Sequence, residues 1–434
     1  MRKSAPMVFF FQYLLLPTIV IISYVNINHI YMIKYLYFYL NMIIFYRNKG
    51  NQMKSFYKII SIFIITLFAS KVNAFDTIAR SAMVVDQTTG TVLMSKDADL
   101  RVPPASMSKL MTLYMLFEAL RDERIAMDTE FLVSEKATKI GGSTMFLREG
   151  ERVSVRDLIQ GIIVQSGNDA CVTVAENLAG TETAFADQMT KRAIELGMNN
   201  SSFGNSTGWP DPLQRMSARD LVLIADLLIK DFPNYYPFFA QASFTFNGVK
   251  QNNRNPLLAL GIGADGLKTG HTNEAGYGLV GSARQGNRRI IFMITGLETK
   301  AARANEAEKL ANWAFRQFVI KDLFEKGAAI TKAQVWLGED KTINLVTEDK
   351  VSDLFPLGSL KGVNIEVNYK GPIEAPITKG DRLAILTIEI PGMGKSEHYL
   401  IASKNVASGS VFNRIATSAQ LLGKNALNGQ LWEK

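Results

Sequence analysis

Cysteine occurs once in the 434 residues, at Cys171, and histidine only at His29, His271 and His398. A single thiol excludes an internal disulfide, so a hydrophobic core has to hold the fold unaided. The same scarcity leaves almost nothing from which a His/Cys metal site could be assembled. Acidic residues are missing altogether from residues 1–74. None of the 40 Asp and Glu but eight of the 48 Lys and Arg lie there, so residues 75–434 balance at 40 of each. The formal charge of +8 therefore belongs to the first 74 residues, and it is no argument for nucleic acid as a partner.

Those first residues read as addressing. From Met53 a basic start (Lys54, Lys58), an apolar stretch from Ile59 to Phe68 and the small-residue end Val72-Asn73-Ala74 have the order of a secretory signal peptide over 53–74. Residues 1–52 stand in front of a complete signal. They are expected to be an upstream extension from a start codon placed too early, the alternative being a membrane span at Val8–Val25, which Pro17 interrupts. Residue 75 is the expected start of the exported chain.

The remaining 360 residues suffice for two domains. Ser81–Ser95 reads as two short strands around a turn, and Lys109–Asp122 has helical apolar spacing after a Pro-Pro pair that no upstream helix could cross. Further helices are expected at 155–165, 170–178, 184–196, 218–230 and 302–318, and a hairpin turning at 285–288. Past about residue 318 the character becomes strand-like, with Val363, Ile365, Val367 and Tyr369 alternating with polar residues as in a half-buried strand. The expected organisation is an α+β domain over 75–320 and a small all-β domain over 328–407. A possible amphipathic membrane-surface helix at 408–434 has a helical apolar face weakened by Gly423 and Gly429.

Three short patterns could carry chemistry. Ser106-Met107-Ser108-Lys109 is an S-x-x-K at a helix start, where residues three apart share a face and the Lys109 amine can reach the Ser106 hydroxyl. Ser166-Gly167-Asn168 lies between two apolar helical runs. Lys268-Thr269-Gly270 opens "DGLKTGHTNEAGYGLVGSA", a strand-like stretch with five glycines. Each pattern is cheap alone, since Ser55-Phe56-Tyr57-Lys58 and Ser403-Lys404-Asn405 fit two of them by accident. Their shared order, each at an element boundary, is not cheap. A G-x-S-x-G match at Gly204–Gly208 is rejected as a nucleophile elbow because Trp209-Pro210-Asp211-Pro212 follows instead of a helix. Cys171, flanked by Ala170 and Val172, reads as a packed helix residue.

The set S-x-x-K, S-G-N, K-T-G, with "PPASMSKLMT", "QSGNDACVTVAENLAG", "MSARDLVLIADLLIKDFPNYY" and "FTFNGVKQNNRNPLL" around it, resembles the low-molecular-mass penicillin-binding proteins of the D-alanyl-D-alanine carboxypeptidase group over about 76–407. The resemblance implies a β-lactamase/transpeptidase-like α+β domain followed by a β domain. It implies a serine peptidase that removes the terminal D-alanine of a peptidoglycan stem peptide, is acylated by β-lactams, needs no metal or cofactor and works in the periplasm or on the outer face of the cytoplasmic membrane. Ser106 would be the nucleophile, Lys109 its base and Ser166 a proton relay. Asn168, Lys268, Thr269, Gly270, His271 and Arg303 would bind substrate, with Thr269 and Arg303 on its carboxylate. The backbone N–H groups of Ser106 and His271 would face the oxyanion.

For Lys109 to be neutral its pKa must fall from about 10.4 toward 7, more than a helix N-terminus can supply, so burial and a second cation, Lys268, are expected to contribute. Gly266 and Gly270 are expected to clear a strand edge for the substrate's main chain. The rival activities are a D,D-endopeptidase and a β-lactamase of the same fold. The first is hard to separate by sequence, while S-G-N and the missing E-x-x-L-N-like segment weigh against the second. A non-catalytic peptidoglycan-binding shape protein is the rival from another class.

Overall fold

A computed structural model describes residues 75–357 and 362–410. The signal segment 53–74, the stretch 1–52 and the tail beyond residue 410 lie outside the described residues, so the expectations placed on them are not addressed by the fold.

The first half alternates helices with short strands. In chain order the strands are β1 (Ser81–Asp86), β2 (Thr91–Lys96), β3 (Glu130–Leu132), β4 (Arg152–Ser154), β5 (Ser243–Phe246), β6 (Val249–Asn252), β7 (Ala264–Thr272), β8 (Gly276–Gln285) and β9 (Arg288–Leu297). The helices are α1 (Lys109–Arg121), α2 (Glu135–Lys139), α3 (Val155–Gln160), α4 (Asn168–Ala179), α5 (Glu182–Glu195), α6 (Ala218–Asp231) and α7 (Lys300–Arg316). Side-chain caps start several of them. Thr181, Ser217 and Thr299 each accept a bond from the backbone N–H three residues on, a contact worth about 1 kcal/mol per helix.

The central sheet has the order β2-β1-β9-β8-β7, antiparallel throughout, with β7 at an edge. Strand β9 shows why it is a single apolar run rather than an alternating one. Ile291 and Met293 face the core built by α1, α4 and α6, while Ile290, Phe292 and Ile294 face α7 and its cluster. Both faces are covered, so the run from Ile290 to Ile294 is apolar throughout. Helix α1 is likewise buried on nearly every side, including Lys109 itself.

The second part is all β. A six-stranded sheet, flanked by a pairing of Phe318–Phe324 with Val351–Pro356, encloses a core around Leu345, Phe355, Leu386, Ile388 and Leu400. The Phe318–Phe324 strand crosses the expected limit of the first domain at 320, and its pairing with Val351–Pro356 ties it to the β domain. The alternation at 363–369 does not mark a half-buried strand. Residues Asn364–Asn368 form an edge strand of that sheet that is exposed almost throughout, and Ile365 is 44% accessible. Val363 and Val367 pack partly buried against the core, whereas Ile365 and Tyr369 are left exposed.

Candidate active site

Ser106 lies in a single 3-10 turn, Ala105–Ser108, that runs straight into α1. The turn is strained at Ala105, whose φ is +50°, and two glycines hold it from outside. A Cβ on Gly208 would sit 1.9 Å from the Ala105 carbonyl oxygen, and Gly208 has φ +81°. A Cβ on Gly270 would lie 2.9 Å from the Pro104 carbonyl oxygen and 3.1 Å from Met107 Cγ. This corrects the expected purpose of the strand glycines. Gly270 admits the nucleophile's own turn, and Gly266 admits Tyr236 and Phe239, 2.8 and 3.2 Å from a would-be Cβ.

The Lys109 amine has three neighbours: Ser106 Oγ at 2.9 Å, Asn168 Oδ1 at 2.8 Å and the Thr207 carbonyl oxygen at 2.5 Å. Three acceptors match the three N–H bonds of an ammonium. When the group is neutral, two N–H bonds remain for Asn168 and Thr207, and the lone pair is left facing the Ser106 hydroxyl. Burial lowers the Lys109 pKa to about 8, with the Arg254 charge adding to it and Asp169 opposing it. Sequence reasoning assigned the helper charge to Lys268. The two lysines repel one another, and Lys268 is held well below its ordinary value by burial, then by Lys109 and Arg254; Arg254 is a further cation that acts on both.

The S-G-N loop is fixed by its own geometry. Helix α3 continues as a π-helical turn, Gly161–Gln165, and ends at Ser166 in the left-handed region, φ +62° and ψ +33°. Ser166 Oγ is buried and has no hydrogen-bond partner. Asn168 Nδ2 donates to the Gly141 carbonyl oxygen at 2.7 Å, which orients its Oδ1 toward Lys109. Asp169, wholly buried, accepts from the Met145 and Leu147 amides, from its neighbour Ala170 and from the Thr144 hydroxyl, pinning the 144–147 segment beside the loop. Cys171 is buried in α4 and its thiol is pushed up to about 12 by that burial, as befits a packing residue.

The 204–208 segment is no nucleophile elbow, yet it belongs to the site. Asn205 Oδ1 accepts from the Thr207, Gly208 and Trp209 amides, and the buried Glu182 accepts from the Ser206 amide and hydroxyl. Held in this way, the segment presents the Thr207 carbonyl to Lys109.

On the opposite wall, Lys268 and Thr269 are buried in edge strand β7, and Lys268 Nζ reaches the Thr269 carbonyl oxygen at 3.3 Å. His271 is exposed and stacks on Tyr277 with ring centroids 3.9 Å apart. Arg303, in the first turn of α7, is only 7% accessible, which is not the setting of an ordinary surface arginine. Arg254 was missed by sequence reasoning. It donates to Ser143 Oγ at 2.6 Å, and its polar surroundings, Asn252-Asn253-Arg254-Asn255, read as an unremarkable loop. Among the described residues, Lys109, Lys268, Arg254 and Arg303 form no ion pair with a carboxylate, although each is linked electrostatically to at least one of the others. The cleft is therefore lined by basic side chains that no ion pair compensates, with Lys109 bonded to the Ser106 hydroxyl.

Comparison with known proteins agrees with this geometry. A profile described as D-alanyl-D-alanine carboxypeptidase matches residues 68–299, and one described as the penicillin-binding protein 5 C-terminal domain matches 318–408. The chain is 36% identical over 360 residues to the D-alanyl-D-alanine carboxypeptidase DacC of Escherichia coli K12, covering 81% of this chain and 90% of that one. Penicillin-binding protein 5 from Haemophilus influenzae superposes with a TM-score of 0.70 at 33% identity, covering 78% of this chain and all of that one. Penicillin-binding protein D2 from Listeria monocytogenes, solved with ampicillin bound, gives a TM-score of 0.51 at 30% identity over 55% of this chain and 98% of that one.

Proposed function

Because the chain belongs to the D-alanyl-D-alanine carboxypeptidase family of penicillin-binding proteins and is a serine-type carboxypeptidase, we propose that Ser106 carries the acyl group and that neutral Lys109 takes its proton. The observation that supports this most is the buried Lys109 amine, bonded to Ser106, Asn168 and Thr207 and paired with no carboxylate. An amine so placed loses its proton readily and has one direction left for its lone pair.

In the proposed course Ser106 Oγ attacks the carbonyl carbon between the two D-alanines, and the hydroxyl proton passes to Lys109 Nζ. The developing oxyanion meets the backbone N–H groups of Ser106 and His271, one such donor being worth about 3–4 kcal/mol. Edge strand β7 offers its free side to the substrate backbone, and the side chain of Asn168 holds the substrate amide. Ser166 Oγ, buried with no protein partner, gives its proton to the departing amine as the C–N bond breaks, releasing D-alanine, and takes up in its place the proton held by Lys109. Water then attacks the ester and frees the shortened peptide and Ser106. Lys268, Thr269 and Arg303 receive the terminal carboxylate, which answers the missing counter-charge in the cleft. A β-lactam carries a carboxylate and a strained amide and would acylate Ser106 by the first half of the same course.

The signal-like segment 53–74 supports export to the periplasm or the outer face of the cytoplasmic membrane, with the tail 408–434 as the candidate for surface contact. No helix among the described residues is long and apolar enough to cross a membrane.

A fluorescent penicillin tests the nucleophile. Label on wild type and none on folded Ser106→Ala is expected, and label persisting on Ser106→Ala would remove Ser106 from its role. Release of D-alanine from a stem pentapeptide, lost in the same variant, ties that serine to the peptidase reaction.

A further inference from the structure

Arg303 is a buried guanidinium with very little to hold it. It makes no ion pair among the described residues, its Nε is buried without a hydrogen-bond partner, and its Nη2 reaches the Arg254 carbonyl oxygen at a long 3.4 Å. What lies against it is an aromatic ring, with Arg303 Cζ 5.9 Å from the centroid of Tyr277. Tyr277 in β8 is also the cross-strand partner of His271 in β7, and the two rings stack at 3.9 Å with their planes 28° apart. One ring thus touches two groups expected to handle substrate, one on the edge strand and one on α7.

We propose that Tyr277 is a positioning residue for substrate capture, its ring holding the Arg303 guanidinium ready for the terminal carboxylate. This rests on the carboxypeptidase reading above, in which Arg303 receives that carboxylate. The negative face of an aromatic ring attracts a cation without neutralising it. A carboxylate partner would hold Arg303 more firmly, but it would occupy the donors that the substrate needs. A ring leaves the N–H edge of the guanidinium free. Tyr277 is partly accessible: it packs against the cluster under α7 on one side and borders a cavity of about 480 Å³, lined also by Arg80, Glu274 and Glu298, on the other.

The test compares Tyr277→Leu, Tyr277→Phe and Arg303→Gln with wild type on N-acetyl-L-lysyl-D-alanyl-D-alanine and on the same peptide ending in a carboxamide. For Tyr277→Leu, KM on the free acid is expected to rise about five- to tenfold with kcat within about twofold, and kcat/KM on the amide to stay within about twofold of wild type. Tyr277→Phe keeps the ring and is expected to recover the wild-type KM. Arg303→Gln is expected to flatten the preference for acid over amide. Equal losses on both peptides, Tyr277→Phe as impaired as Tyr277→Leu, or no loss in Tyr277→Leu would each overturn the proposal. Wild type that releases D-alanine but does not prefer the acid would overturn the carboxylate assignment, and the proposal with it. Wild type that releases none from either peptide would overturn the carboxypeptidase reading itself.

Discussion

Replacing Lys109 by methionine separates the thermodynamic cost of the buried amine from its chemical use. The side chains are similar in length, but methionine cannot be charged. In the folded protein the Lys109 pKa is about 8 against an ordinary 10.5, so at pH 7 the protonated amine destabilises the fold by about 3 kcal/mol. The sign follows from proton binding. Between about pH 8 and 10.5 the unfolded chain still holds this proton while the folded chain has released it, so stability rises with pH across that window. Below about pH 8 both states hold the proton and the penalty is present in full. Relative to Lys109→Met, wild type should therefore gain about 3 kcal/mol from about pH 7 to pH 10.5, most of it above pH 8. Lys268 remains in both proteins. Losing its repulsion from Lys109 changes the comparison in the same direction, because only wild type places two ammonium groups together at low pH.

Urea unfolding at several pH values measures the difference, and the absolute offset is not needed. The offset carries the acceptors on Asn168 and Thr207 left without a donor, which cost the variant about 1–3 kcal/mol each at every pH. Acylation supplies the second reading. The second-order rate of penicillin labelling reports the free enzyme, so it should follow the neutral fraction of Lys109, rising about tenfold from pH 7 to pH 9 with a midpoint near 8. A stability difference independent of pH, together with a labelling rate flat between those values, would show that Lys109 is neither burdened nor used as described.

Three further outcomes follow from the geometry. Gly208→Ala forces a Cβ into the Ala105 carbonyl at a left-handed backbone position, so it is expected to cost at least about 3 kcal/mol and to abolish penicillin labelling; wild-type melting and labelling would show that the 204–208 segment does not brace the nucleophile turn. Asp169→Asn trades an acceptor of several bonds for one carbonyl oxygen, and a loss of about 2–4 kcal/mol is expected together with faster amide exchange at 144–147, against no change there if the carboxylate is dispensable. Cys171 should resist iodoacetamide in the native protein and react only on unfolding, whereas alkylation of the folded protein at the rate of a free thiol would contradict its burial.

What could be read from sequence was what is local. The S-x-x-K spacing needs only one helical turn to join Ser106 to Lys109, and the helical and strand periods of the catalytic half need only nearest neighbours. Groups brought in from far along the chain were illegible for the same reason. Thr207 contributes a carbonyl, which every residue has, and it does so from a segment whose side-chain pattern pointed to another enzyme class altogether. Arg254 sits in a polar loop where an arginine needs no explanation. The strand glycines announced that something comes close, but not whose atoms: at Gly270 and Gly266 they are the protein's own. The exposed strand at 364–368 failed differently, since alternation reports a pattern of residue types and not which side of a sheet has a neighbour.

The cation cluster connects these points. A lysine can be made neutral by an apolar cavity alone, but such a cavity has no affinity for an anionic substrate. Here burial does most of the work on Lys109 and Lys268, and Arg254 and Arg303 add positive potential that Asp169 opposes at Lys109 but that no ion pair cancels. The field that makes the Lys109 proton easier to lose is also one that an incoming carboxylate lowers in energy by entering. Base activation and anion capture thus draw on one basic cluster, joined through Arg254, which acts on Lys109, Lys268 and Arg303 alike.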